Sequence, residues 1–213
     1  MAKKIIAVNG SPRRGWNTSL LVSEAAKGAA EAGAEVEVVD LYRLEAFKGC
    51  VSCFGCKLPP NEKKCVLKDG LSETLAKLRE AGGIILGSPI YLGELTAGFR
   101  ALYERFIFPY VTYRKEGLRR EGAGVPVLLV VTSNCPEEAY GRTGYTDMVE
   151  RYKRTLENCV GPTEVLISAD TLQVNDYSRF NWTMFDPEAK KKRREEVFPL
   201  ELKKAYELGK AMA

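Results

Sequence analysis

The chain has no histidine and no long apolar run, and these two absences exclude several classes of protein. Serine-histidine-aspartate hydrolysis, cysteine-histidine proteolysis and zinc sites with imidazole ligands all require histidine. No run approaches the roughly 20 apolar residues of a membrane span, and the first one, residues 5–8, is too short for a secretory signal. We therefore expect a cytoplasmic protein with no membrane partner, whose cysteines serve metal binding or catalysis rather than disulfides.

A strong charge of one sign is also missing. The 213 residues carry 32 Lys and Arg against 28 Asp and Glu, which gives a net charge of +4. This excess is too small to predict a nucleic-acid partner for the chain as a whole. The basic run 190–194 is followed at once by two glutamates in a helical segment, so we interpret it as a solvated helix face.

The sequence does contain short apolar runs that alternate with helical repeats. The runs that predict strands lie near residues 5–8, 35–40, 84–86, 127–131 and 165–167. The runs at residues 5–8 and 127–131 do not alternate with polar residues, which is typical of strands buried on both faces of a sheet. They predict an α/β fold with a doubly wound parallel sheet, which binds ligands at the carboxyl ends of its strands. We assign residues 1–169 to this domain and residues 170–213 to a helical C-terminal extension of it.

The loop after the first strand combines short polar side chains with arginine just before a helix. Its candidate phosphate-binding residues are Ser11, Arg13, Asn17, Thr18 and Ser19. A helix start offers unpaired N–H groups to an anion, and arginine adds charge-assisted hydrogen bonds. The loop lacks the lysine of a Walker loop and the Gly-x-Gly-x-x-Gly spacing of a dinucleotide-binding loop. It therefore predicts a site for a phosphate monoester. A capped turn with surface arginines is the alternative.

The loops after the third and fourth strands are expected to share a crevice with the first loop. A flat, largely apolar ring needs apolar walls and backbone donors at its polar edge, and these loops offer both. The alternative is a turn whose tyrosine fills the core. The candidate ring-binding residues are Pro89, Ile90, Tyr91, Leu92 and Gly93 in one loop, and Thr132 and Ser133 in the other.

Four of the six cysteines lie within the predicted loop at residues 44–66. They are Cys50, Cys53, Cys56 and Cys65. Two-residue gaps allow successive thiolates to face one centre, and four thiolates complete the ligand set of a [4Fe–4S] cluster. An all-cysteine zinc site and a set of free thiols remain as alternatives.

These motifs resemble those of the flavodoxin-like NAD(P)H-dependent FMN reductases, and among them the iron-sulfur flavoprotein branch. The resemblance rests on Ser11-Pro12-Arg13 with Asn17-Thr18-Ser19, on Gly87-Ser88-Pro89-Ile90-Tyr91 and on the compact cysteine motif. It implies a flavodoxin-like five-stranded sheet in the order 2-1-3-4-5. It also implies FMN, with its phosphate in the first loop and its isoalloxazine against residues 89–93, a [4Fe–4S] cluster on the four cysteines, and NAD(P)H as cosubstrate.

The expected function is that of an FMN-dependent oxidoreductase in which the flavin carries the chemistry and no side chain is catalytic. Electrons would pass from NAD(P)H, or from a ferredoxin-like protein, to a small-molecule acceptor. The resemblance further implies a homodimer or homotetramer with the flavin near a subunit boundary, where Trp182 and Phe185 are candidates to cover a neighbour's cofactor. The alternative function is a non-catalytic flavodoxin-like module that is stabilised by zinc or senses redox state through its thiols.

Overall fold

The computed structural model describes residues 2–61, 63–113, 115 and 124–213. The strands are β1 (Lys4–Asn9), β2 (Glu35–Asp40), β3 (Gly83–Tyr91), β4 (Glu94–Leu95), β5 (Val127–Thr132) and β6 (Thr163–Ser168). The α-helices are α1 (Asn17–Glu31), α2 (Ser72–Glu80), α3 (Ala97–Ile107), α4 (Tyr140–Thr143), α5 (Tyr145–Cys159), α6 (Pro187–Glu196) and α7 (Phe198–Lys210).

The sheet has the predicted parallel topology. Five parallel strands lie in the order β2-β1-β3-β5-β6, and β4 adds a short antiparallel pairing with β3. Counted among the parallel strands alone, this is the order 2-1-3-4-5, which confirms the flavodoxin-like prediction. In the register, Asn9 pairs with Gly87 and Pro89 pairs with Thr132. The carboxyl ends of β1, β3 and β5 therefore lie side by side.

The sheet separates two apolar cores. On β1, Ile6 and Val8 pack into the core beneath α2, α3 and α5, whereas Ile5 and Ala7 pack into the core beneath α1 and α7. Both faces of the strand are therefore buried, which explains why its sequence is continuously apolar rather than alternating.

The C-terminal helix α7 packs directly on α1. A Cβ atom placed on Gly209 would lie 1.9 Å from the carbonyl oxygen of Ala25, so only glycine permits this approach between the two backbones. The partner of α7 is thus a helix of the same chain. The division of the chain at residue 170 stays a prediction.

The third strand is longer than the sequence indicated. The segment Gly87–Tyr91 was expected to be loop, but β3 continues through it to Tyr91. The reason is a hairpin partner, since Ile90 pairs with Leu95 and Tyr91 pairs with Glu94. The chain reverses at Leu92 and Gly93, whose φ angles of 52° and 83° fit a two-residue type I′ turn.

A long segment connects α3, which ends at Ile107, to β5, which begins at Val127. Residues 108–110 form a single 3₁₀ turn after α3. Most of the remaining segment lies outside the described residues. Among the helices that are described, none has the length and apolar character to cross a membrane.

Candidate functional site

A crevice of about 230 Å³ opens at the carboxyl ends of β1, β3 and β5. It brings together nine of the twelve residues that the sequence proposed for cofactor binding. They are Ser11, Arg13, Asn17, Thr18, Pro89, Ile90, Tyr91, Thr132 and Ser133. The phosphate-binding and ring-binding candidates therefore face the same space, as the strand order requires. The role of each residue in binding stays a prediction.

The other three candidates lie elsewhere. The hydroxyl of Ser19 accepts a hydrogen bond from the Gly15 N–H and lines a separate groove beside β2. Leu92 and Gly93 form the tip of the hairpin between β3 and β4, and the Leu92 side chain is fully exposed. The crevice itself is built without these three residues.

Side chains of the first loop fold the loop on itself. The Ser11 N–H donates to Asn9 Oδ1 at 3.1 Å, and the Arg13 N–H donates to Ser11 Oγ at 3.1 Å. The guanidinium of Arg13 lies 3.8 Å from the centroid of the Trp16 ring, within cation–π range. These contacts hold Arg13 beside the start of α1.

The start of α1 fits an anionic ligand. Trp16 occupies the N-cap position, and within the described chain no side chain caps this helix end. The N–H groups of the first helical turn therefore lack the usual side-chain acceptor, and they lie at the positive end of the helix dipole. Together with Arg13, they provide the donors that a phosphate monoester needs.

A buried network connects the two sides of the crevice. The Thr18 and Thr132 hydroxyls lie 2.7 Å apart, which joins the first turn of α1 to the end of β5. The Ser133 hydroxyl lies 2.8 Å from the Tyr140 hydroxyl, and burial raises the pKa of Tyr140 to about 12. Tyr140 is therefore a neutral phenol near neutral pH, and it holds Ser133 without adding charge.

The sequence interpretation missed one wall of the crevice, which is the segment after β6. Thr171 lines the crevice, and both its N–H and its hydroxyl donate to the Ser133 carbonyl, at 2.9 and 3.0 Å. The Leu172 carbonyl accepts from Asn17 Nδ2 at 2.9 Å. Trp182 lies against the crevice of its own chain, although it had been considered only as a cover for a neighbour's cofactor. The polar and aromatic composition of residues 171–185 was the available signal.

The basic run 190–194 is not a solvated face, so that interpretation was wrong for three of its residues. Lys190 is buried, forms an ion pair with Asp170 and donates to both side-chain and backbone oxygens of Asn134. Arg193 pairs with Glu201, and Arg194 donates to Asn17 Oδ1 at 2.7 Å. The cause is tertiary: Lys190 and Arg194 reach acceptors beside the crevice, and Arg193 reaches Glu201 on α7.

The four clustered cysteines line a second, smaller pocket. Cys56 is buried, Cys65 is half-buried, and Cys50 and Cys53 are exposed. Burial raises the pKa of the Cys56 thiol. In the part of the chain that the structure describes, no three His, Cys, Asp or Glu side chains are arranged to hold a metal ion. The structure therefore gathers the four thiols around one space without forming a closed ligand set.

Two cations fix the cysteine loop to α3. The Arg105 side chain is fully buried, pairs with Asp69 and donates from Nε to Cys65 Sγ at 3.3 Å. Its remaining donors reach the carbonyls of Lys48 and Leu67, one on each arm of the loop. Lys57 Nζ donates to three backbone carbonyls just after α3, at 2.5 to 3.2 Å. The loop is thus held to α3 mainly through backbone carbonyls and the Asp69 carboxylate, and the Cys65 sulfur is a further acceptor.

The profile of the NADPH-dependent FMN reductase family matches residues 3–140. An iron-sulfur flavoprotein of Methanocaldococcus jannaschii is 44% identical over 102 residues, which cover 48% of this chain and 51% of that protein. An iron-sulfur flavoprotein of Methanosarcina thermophila is 34% identical over 49% of this chain and 52% of its own length. The chain therefore spans about half the length of the curated relatives it matches.

Solved structures resemble the whole fold at low sequence identity. An NAD(P)H:quinone oxidoreductase from Methanothermobacter marburgensis superposes with a TM-score of 0.70 at 17% identity, over 100% of this chain and 98% of that one. An azoreductase from Bacillus anthracis gives a TM-score of 0.70 at 15% identity, over 98% and 99% of the two chains. At these identities the likeness establishes the flavodoxin-like fold. The family match covers β1, β3, β5 and the crevice residues at their carboxyl ends, and the chain therefore belongs to the NADPH-dependent FMN reductase family.

Proposed function

We propose that this protein is an FMN-dependent oxidoreductase that passes electrons from NAD(P)H to a small-molecule acceptor. The observation that carries the proposal is the crevice, where the uncapped start of α1 and Arg13 adjoin the apolar wall of Pro89, Ile90 and Tyr91. One end of this space suits a phosphate and the other suits a flat ring. FMN has both parts, and the family match supports it as the ligand.

The protein's part is to bind and orient the cofactor. Ser11, Arg13 and the first turn of α1 would hold the phosphate, and residues 89–91 would pack against the isoalloxazine ring. Thr132 and Ser133, at the end of β5, would lie at the polar edge of the ring, where polar groups stabilise negative charge. Bound FMN supplies the hydride acceptor and the onward electron transfer. Because no protein base is needed, the chemistry is compatible with a chain that has no histidine.

The test measures the binding of FMN to flavin-free protein through the quenching of flavin fluorescence. Arg13→Ala is expected to weaken binding about tenfold or more, because it removes a charge-assisted contact worth roughly 1.5–3 kcal/mol. Arg154→Ala is the matched control, since Arg154 lines a separate groove beside Gly161 and Pro162, just before β6 begins. Equal affinity of the two variants would remove the phosphate assignment, and a wild-type protein that takes up no FMN would remove the function.

We also propose that the four clustered cysteines hold a [4Fe–4S] cluster. The support is their donor chemistry, because four sulfurs line one largely apolar pocket, and among the described residues its only charged lining side chain is Arg105. Thiolates are the ligands that iron-sulfur clusters and zinc prefer. The relatives from Methanocaldococcus jannaschii and Methanosarcina thermophila described above both bear the name iron-sulfur flavoprotein. When bound, the cluster would supply single-electron transfer.

Metal and sulfide analysis of anaerobically purified protein tests the cluster. Iron with equimolar acid-labile sulfide is expected, and Cys65→Ser is expected to lower both. Cys159→Ser is the control, because Cys159 lies at the end of α5 and packs against the core. Zinc in place of iron would favour the zinc-stabilised module, and protein free of both metals would leave only free thiols.

We further propose a cytoplasmic homo-oligomer, a homodimer or homotetramer, with the flavin near the subunit boundary. The support is exposed apolar surface at and near the crevice. Leu92 is fully exposed, Met184 is 86% exposed and Trp182 is 39% exposed. Such side chains commonly mark an interface. Light scattering during gel filtration tests the assembly, and a monomer at micromolar concentration would contradict it.

A ferredoxin-like protein in place of NAD(P)H is the alternative electron donor, and stopped-flow reduction with each donor distinguishes the two.

A further inference from the structure

Gln173 has a buried side-chain oxygen without a hydrogen-bond partner. Among the residues that the structure describes, Oε1 of Gln173 is the one buried side-chain nitrogen or oxygen atom in this condition. An unpaired buried acceptor costs roughly 1–3 kcal/mol, so native proteins rarely retain one without a reason. Gln173 also belongs to the wall of the crevice. A ligand in the crevice is therefore the natural source of the missing donor.

The backbone around Gln173 is already fixed. The Gln173 N–H donates to the Tyr177 hydroxyl at 3.1 Å, and the neighbouring Leu172 carbonyl accepts from Asn17 Nδ2. Thr171 is tied to the Ser133 carbonyl through its N–H and its hydroxyl. These bonds fix the segment, and the side-chain oxygen of Gln173 remains without a partner and available to a ligand.

The position of Gln173 indicates which part of FMN it meets. Through Leu172 it adjoins Asn17, the first residue of α1, where the phosphate would bind. Residues 89–91, which would pack against the ring, lie at the end of β3. The part of FMN that follows the phosphate is the ribityl chain, which carries hydroxyl groups. A hydroxyl donates to an amide oxygen, so its chemistry matches the unpaired Oε1.

We propose that Gln173 binds a ribityl hydroxyl of FMN and thereby selects flavins with a hydroxylated chain. This proposal rests on the proposed function, since it assumes FMN in the crevice. It assigns a specificity role to a residue outside the three loops that carry the sequence resemblance. It also explains why an extended segment after β6 is anchored to both crevice loops.

The test compares two ligands and three proteins. The ligands are FMN and its analogue with an unsubstituted phosphopentyl chain, which keeps the ring and the phosphate but lacks the hydroxyls. Gln173→Leu is expected to bind FMN about tenfold more weakly than wild type and to bind the analogue equally well. Asn175→Leu is the matched control, because it replaces an exposed amide on the same segment. It should leave both affinities unchanged.

The melting temperature of flavin-free protein separates binding from folding. Gln173→Leu removes the unpaired oxygen, so without FMN it should melt no lower than wild type, while the rise in melting temperature on adding FMN should shrink. A lower melting temperature with unchanged FMN affinity would show a structural role and overturn the proposal. Equal weakening for FMN and the analogue would also overturn it. Wild-type protein that binds neither ligand would overturn the proposed function itself.

Discussion

The hydroxyl oxygens of Thr18 and Thr132 lie 2.7 Å apart in a buried position, and this contact joins the two halves of the crevice. Thr18 belongs to the first turn of α1, and Thr132 is the last residue of β5. Since each hydroxyl can donate one hydrogen and only one is used between them, the second hydrogen remains for another acceptor. The pair therefore fixes the crevice and retains one donor.

Removing both hydroxyls should lower the free energy of unfolding by less than the sum of the two single removals. Thr18→Val leaves the Thr132 hydroxyl buried without its partner, so we expect it to lower the free energy of unfolding by about 1–3 kcal/mol. In the double variant, Thr18→Val with Thr132→Val, both polar groups are gone and the loss should be well below the sum of the single losses. Urea unfolding of flavin-free protein measures all four states of the cycle. Strictly additive losses would show that the two hydroxyls do not interact.

The buried ion pair of Arg105 and Asp69 should be a major contributor to the stability of the cysteine loop. Arg105→Ala removes the charged partner of the Asp69 carboxylate and the side-chain donor to the carbonyls of Lys48 and Leu67. Loss of one partner of a buried pair typically costs about 3–5 kcal/mol. Arg100→Ala on the same helix is the control, because Arg100 is half-exposed and should cost less. Comparable losses in the two variants, measured by denaturant unfolding, would contradict this ranking.

The same pair predicts a dependence of stability on pH. Burial alone would raise the pKa of Asp69, but hydrogen bonds from Arg105, Lys48 and Leu71 outweigh burial and lower the pKa below the usual value of an aspartate. A depressed pKa in the folded state adds stability above the unfolded pKa, and this contribution is lost as pH falls through the folded value. The difference in free energy of unfolding between wild type and Asp69→Asn should therefore be largest at pH 7 and should decrease below about pH 4. A gap that is constant from pH 7 to pH 3 would refute the assignment.

The sequence was most informative where one physical signal decided the structure. Ile5–Val8 and Val127–Val131 are apolar throughout, and each is a strand buried on both faces. The strand order then placed the first loop beside the end of β3, so the crevice followed from topology. In contrast, the sequence placed Leu92 and Gly93 in the crevice, whereas the structure places them at the tip of the hairpin between β3 and β4. This hairpin depends on pairing across a two-residue turn, and no apolar pattern in the sequence indicates such a pairing.

Long-range partners explain the remaining differences. Lys190 and Arg194 read as solvent-exposed because their sequence neighbours are charged, yet their acceptors, Asp170 and Asn17, are 20 and 177 residues away in sequence. Likewise, Gln173 attracts no attention in the sequence. The role proposed for Gln173 rests on a buried oxygen without a hydrogen-bond donor, and such an atom can be recognised only once the surrounding side chains are in place.

Arg194 should influence FMN binding although it lies on α6, far from the first loop in sequence. Its guanidinium donates to Asn17 Oδ1 at 2.7 Å and packs 3.9 Å from the centroid of the Phe198 ring. Arg194→Ala removes this support of Asn17 and a positive charge close to the expected phosphate. We therefore expect FMN affinity to fall about tenfold, which corresponds to ~1.4 kcal/mol.

Riboflavin and a neighbouring lysine provide the controls for this prediction. Riboflavin lacks the phosphate, so its affinity should change much less than that of FMN in Arg194→Ala. Lys192→Ala removes the same charge from an exposed position two residues away and should leave the ratio of the two affinities unchanged. If both variants lower FMN affinity equally, the effect is one of net charge and not of Asn17. If FMN and riboflavin weaken together, Arg194 supports the crevice as a whole rather than its phosphate end.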